Sequence, residues 1–135
     1  SDSETLSVYL ARIKPGSGSV VAEYHTNAFT NPKATGIELI IPNNYSKENY
    51  RLASLIAIGL HKITGLTLRN NGTGVITEAK SKRGSLGIMR KSGIVIIIEL
   101  GFISNPNDVK IILAKRDEIC KFVADSLILG DSWLS

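Results

Sequence analysis

The sequence is poor in cysteine, histidine and long apolar runs, and each shortage closes off a class of function. A lone cysteine, Cys120, excludes an internal disulfide and a cysteine-based zinc cluster. Two histidines, His25 and His61, cannot form a three-histidine zinc site. The longest apolar run is Ile94–Ile98, five residues, far below the roughly 20 that a membrane-crossing helix needs. No basic-then-apolar leader opens the residues given. Aromatic residues make up 6% and none interleaves the basic stretch Lys80-Ser81-Lys82-Arg83, with Arg90 and Lys91 just beyond. A stacking platform for single-stranded nucleic acid is therefore unsupported. Gly72, Gly74, Gly84 and Gly87 do not form a phosphate-binding fingerprint, which needs a strand before it and a helix after it.

What is present is the composition of one folded domain. The chain has 135 residues, 43% apolar and 21% charged, enough to build a core unaided and neither disordered nor a solvated coil. The reading is a single domain over 1–135, and the serine start suggests a trimmed or processed chain. Sixteen Lys and Arg against twelve Asp and Glu give +4, a mild attraction for polyanions that does not choose among nucleic acid, anionic lipid and acidic wall polymer.

Periodicity predicts alternating elements. Residues 3–14 read as a short amphipathic helix, with Leu6, Leu10 and Ile13 at helical spacing and Pro15-Gly16 as the stop. Val20–His25 and Gly36–Pro42 read as strands. Ser46 opens a helix that runs to Thr64, with Leu52, Leu55, Ile56, Leu60 and Ile63 as its buried stripe and Gly65 as its stop. Residues 66–85 read as surface loop with one short strand or turn, and Leu86–Met89 as a short strand. Ile94–Leu100 is the clearest strand, and its unbroken β-branched run implies burial on both faces. Asn105-Pro106-Asn107-Asp108 caps a last helix to about Leu129, in which Cys120 reads as a small core residue. The fold class is α/β, a sheet flanked by helices on both faces.

In such sheets function collects at the carboxyl ends of strands, which directs attention to His25 and Glu99. Glu99 follows five branched aliphatics, where the strand is still buried. A carboxylate there either handles protons or binds a metal-bound water, or it is a structural group bonded to backbone amides. His25 either ligates a divalent metal or is a half-buried histidine with a backbone bond. His61 lies between Leu60 and Ile63 on a helix and reads as a surface or boundary residue. The basic stretch reads as a solvated loop or as a contact for an acidic substrate.

These residues also carry a resemblance. Glu99-Leu-Gly-Phe-Ile-Ser-Asn-Pro106 looks like the carboxy-terminal signature of the zinc-dependent N-acetylmuramoyl-L-alanine amidases, Glu-Val-Gly-Phe-Leu-Ser-Asn ahead of a helix. Glu23-Tyr24-His25-Thr26-Asn27-Ala28 resembles their Ser-Ile-His-Ala-Asn-Ala strand. Gly36-Ile37-Glu38-Leu39 is similar to the Gly-Val-Glu strand that follows, and Leu86-Gly87-Ile88-Met89-Arg90 to the Leu-x-Val-Leu-Arg segment before the last strand. The four motifs fall in the family's order over roughly Ser3–Leu129.

The resemblance implies hydrolysis of the amide between the lactyl group of N-acetylmuramic acid and the L-alanine of the stem peptide in peptidoglycan. It implies a Zn2+ cofactor held by two histidines and a glutamate, with His25 as one ligand, Glu99 as the proton-handling carboxylate and Asn27 as a support for site or substrate. It implies action at the cell wall, the periplasm or outside the cell, by a bacterial autolysin or a phage endolysin, the latter in the host cytoplasm before release. The sequence departs from the family upstream of His25. The Asp-Pro-Gly-His-Gly segment and the following glutamate that carry the other two ligands have no counterpart, and their source is expected in a missing amino-terminal segment or another chain. The alternative is a wall-binding or structural module of the same fold that has lost the metal. A third option, a basic nucleic-acid-binding domain, has the +4 charge for it and no recognisable motif.

Overall fold

In the computed structural model the described residues are 20–81, 87–90 and 93–134. The predicted helix over 3–14 and the Lys82-Arg83 part of the basic stretch lie outside them. The elements are β1 (Val20–Asn27), β2 (Ile37–Ile41), α1 (Lys47–Thr64), β3 (Val75–Thr77), β4 (Ile94–Phe102), α2 (Pro106–Ala114) and α3 (Arg116–Ser132). The four strands form one mixed sheet in the order β1-β4-β2-β3. β4 runs parallel to β1 and antiparallel to β2, and β3 runs parallel to β2.

All nine residues of β4 are buried, as its branched aliphatic run requires. Strand alternation sends Ile94, Ile96, Ile98 and Leu100 to one face. There they meet Val20, Ala22 and Tyr24 of β1, Leu52, Ile56 and Leu60 of α1, and Ile119, Val123 and Leu127 of α3 in one core. Each fully buried aliphatic of this set contributes on the order of 1.5–3 kcal/mol. The other face carries a smaller cluster of Ile40, Met89, Val95 and Ile97. Among the described residues, α1 and α3 and the Ile112 side of α2 all pack on the first face.

Local chemistry sets the element ends. Ser46 Oγ accepts the Asn49 N–H at 3.1 Å and caps α1, and Gly65, at φ 74°, ends it. Asn49 is itself buried, and its Oδ1 accepts the Val95 N–H at 3.0 Å, which fastens the first turn of α1 to the start of β4. Asn105 caps α2 by accepting the Asn107 and Asp108 N–H groups, with Pro106 at the first helical position.

Two sequence expectations need correction. The described part of the expected Leu86–Met89 strand is not a strand: Gly87–Arg90 forms a 3-10 turn whose Met89 belongs to the smaller cluster, and Leu86 lies outside the described residues. Strand order β1-β4-β2-β3 leaves this segment out of the sheet, and its contribution is the buried Met89 side chain. The last helix is also two helices, broken at Lys115, whose ψ of 11° is non-helical. Leu113, ahead of the break, is 48% exposed.

Candidate active site

The site lies where β1, β4 and β2 run side by side. His25 pairs in register with Glu99, and Glu99 pairs with Glu38 on the other side. Residues directly across a ladder share a face, so one row holds an imidazole and two carboxylates. It lies on the face opposite the main core, where strand alternation also puts Glu23, Ile40, Val95 and Ile97. Glu99 is 3% exposed.

A bulge shapes the end of this row. His25 pairs with Glu99 but Asn27 pairs with Phe102, so β4 holds one residue more than β1 there. Gly101 takes the strain at φ 69°, a conformation costly for residues with a Cβ, and a Cβ there would also sit 2.8 Å from Ile112 Cδ1. The extra residue brings Phe102 round to line the same pocket as Glu99. Buried Asp108 locks the bulge: its Oδ2 accepts the Phe102 N–H at 2.9 Å and its Oδ1 accepts the Thr35 hydroxyl at 2.5 Å.

The pocket holds about 160 Å³. Asn27, Glu38 and Glu99 supply its acceptors, Arg69 and Lys80 its cations, and Phe102 part of its apolar wall. Arg69 is fixed from three sides. Its Nη1 donates to the Thr35 carbonyl at 2.9 Å, its guanidinium lies 4.9 Å from the Phe102 ring centroid, and its Nε is 4.0 Å from Glu38 Oε2. Like charges facing across a ladder repel, and Arg69 offsets the Glu38–Glu99 pair. Asn27 contributes its carbonyl to the Ile103 N–H at 2.6 Å, and its Oδ1 accepts the Ala28 N–H at 3.2 Å.

His25 stands beside Glu99 in the ladder but outside the pocket lining. Its Nε2 donates to Glu23 Oε1 at 2.5 Å, with both side chains about one-third exposed. His61 is elsewhere and exposed, its Nδ1 bonded to the Leu66 carbonyl at 2.7 Å beyond the end of α1, in keeping with a surface or boundary residue. A catalytic zinc ion takes three protein ligands and leaves a place for water. Among the described residues no three His, Cys, Asp or Glu side chains are grouped to hold a metal ion, and the Nε2 of the one candidate imidazole is already engaged by Glu23. The described residues do not by themselves fit that ion.

Reasoning from sequence singled out His25, Asn27 and Glu99, and the fold brings all three to one end of the β1–β4 pair. It left out Glu38, Arg69 and Asp108. Glu38 carried a readable signal, a single carboxylate inside the apolar strand Ile37–Ile41. Arg69 and Asp108 carried none, because their roles come from contacts with Thr35 and Phe102 far away in the chain.

Comparison with known proteins bears on the family and the fold. The family described as N-acetylmuramoyl-L-alanine amidase matches residues 5–128. A solved protein from Neisseria meningitidis, described as an N-acetylmuramoyl-L-alanine amidase, is 30% identical with a TM-score of 0.67, over 82% of this chain and 57% of that one. The catalytic domain of the CD27L endolysin targeting Clostridia difficile shares the fold at 19% identity and a TM-score of 0.62, over 95% of this chain and 64% of that one. The apo form of the amidase Ami1 from Mycobacterium abscessus does so at 21% identity and a TM-score of 0.58, over 87% and 55%. No curated protein sequence matches. The chain spans less than two thirds of the length of each of these solved relatives. On its sequence match and its fold together, the chain belongs to the N-acetylmuramoyl-L-alanine amidase family.

Proposed function

We propose that this chain is part of a peptidoglycan hydrolase that cleaves the amide between N-acetylmuramic acid and L-alanine, acting at the cell wall. The observation that carries the reading is the row His25–Glu99–Glu38, a buried carboxylate set between an imidazole and a second carboxylate at the rim of a pocket. Glu99 is the proposed general base and acid: it takes a proton from the attacking water and returns it to the departing amine. Asn27 is proposed to hold substrate through its side-chain amide. His25 is proposed as one ligand of a zinc ion whose remaining ligands come from outside the described residues, in this polypeptide or another. When bound, such an ion supplies an acidified water and a polarised carbonyl. The single domain over 1–135 is accordingly proposed as the carboxy-terminal portion of the catalytic unit.

The test is release of free L-alanine amines from purified peptidoglycan by the native polypeptide, with its intact mass and metal content determined on the same sample. Amine release that stops on chelation and returns with zinc supports the reading. Absence of both metal and release in the native polypeptide rejects it. It would leave the second reading, a wall-binding module of the same fold, which predicts wall binding indifferent to chelation.

A further inference from the structure

We propose that Lys80 is the anion-recognition residue of this pocket, selecting substrates in which the departing peptide carries a free carboxylate. The proposal rests on the amidase reading of the same pocket and adds to it the charge of the ligand. A peptide whose amino end is released by amide cleavage ends, at its other terminus, in a carboxylate. Placed in this pocket, that group would meet Glu38 and Glu99, so its binding needs a cation not committed elsewhere.

The pocket offers two. Arg69 is committed to the Thr35 carbonyl, the Phe102 ring and Glu38. The Lys80 side chain is exposed and makes no ion pair or hydrogen bond with the described residues. Its backbone, by contrast, is held. Lys80 ends the 3-10 turn Glu78–Lys80, in which Asn43 Oδ1 accepts the Ala79 N–H at 3.1 Å and the Ser81 hydroxyl donates to the Glu78 carbonyl at 2.8 Å. A flexible ammonium on an anchored turn is suited to meeting a carboxylate as a point charge. Ile40 and Ile76 lie in the same wall, and an apolar wall strengthens that attraction by displacing water.

The experiment compares two soluble muramoyl-peptides, identical except that one ends in a carboxylate and the other in an amide. The native polypeptide is expected to favour the acid by about tenfold in kcat/KM, expressed mainly in KM. Lys80→Ala is expected to bring the ratio near one, through a loss confined mainly to the acid substrate, and Lys80→Arg to keep most of the preference. A preference retained in Lys80→Ala, or an equal loss on both substrates, overturns the proposal. If neither substrate is cleaved by the wild type, the amidase reading fails. Calorimetric binding of the same two ligands then decides the Lys80 assignment, supported by a preference that Lys80→Ala abolishes and overturned by equal or absent binding.

Discussion

Glu99 and Tyr24 show how one strand pair can point two polar groups into opposite environments. Glu99 faces the pocket, and replacing its carboxylate by the isosteric amide would remove the proposed proton transfer while keeping shape. Glu99→Gln is expected to lower kcat by about 10²–10⁴-fold with an unchanged far-ultraviolet circular dichroism spectrum; turnover at the wild-type rate would reject the assigned role. Tyr24 faces the main core at 1% exposure. Burial pushes its phenol above the usual 10.0, the bond from the Thr26 hydroxyl pulls the other way, and Cys120 adds a small upward push. A phenol that ionises later in the folded state than in the unfolded one stabilises the fold fully below pH 10. That contribution is lost as pH climbs through the folded value. Urea unfolding across the alkaline range is therefore expected to show a steeper loss of stability for the wild type than for Tyr24→Phe. A parallel decline in both would show that Tyr24 stays neutral or titrates alike in the two states.

Among the elements, α1 and α3 meet at a point where side-chain volume is absent. A Cβ on Gly59 would lie 1.9 Å from Phe122 Cζ, so the ring of α3 rests directly on the backbone of α1. Gly59→Ala is expected to cost about 1–3 kcal/mol by overpacking, read as a lower urea midpoint at constant slope. Gly59→Ala with Phe122→Leu is expected to recover part of that loss, and strict additivity of the two changes would disprove the contact. Much at this scale is legible in the sequence. Ser46 and Gly65 bracket α1 as caps should, Asn105-Pro106 starts α2, and Ile94–Ile98 reads as a doubly buried strand. The break at Lys115 is not legible, because apolar residues continue on both sides of it and no proline or glycine marks it. The bulge is only half legible: Gly101 is visible, but the one-residue surplus it absorbs exists only against β1.

At the scale of the whole molecule, what sequence cannot show is who sits next to whom. His25, Asn27 and Glu99 announce themselves through their strands, whereas the facing of Glu38 and Glu99 depends on β2 running against β4, a matter of strand order. The metal question belongs here too. With one of its two histidines bonded beyond α1 and no three-ligand group among the described residues, the 135-residue chain dialysed with zinc is expected to retain well below one ion per chain by metal analysis. Stoichiometric, chelator-resistant zinc would contradict that expectation. The strand order has one more consequence, for synthesis. β4 comes last among the strands yet stands between β1 and β2. A nascent chain must therefore carry the lone strand β1 and the β2–β3 pair, mutually unjoined, until Ile94–Phe102 has left the ribosome. Long-range parallel pairing of this kind is slow and exposes strand edges meanwhile. A message truncated before that strand should yield not a smaller fold but a polypeptide prone to aggregate.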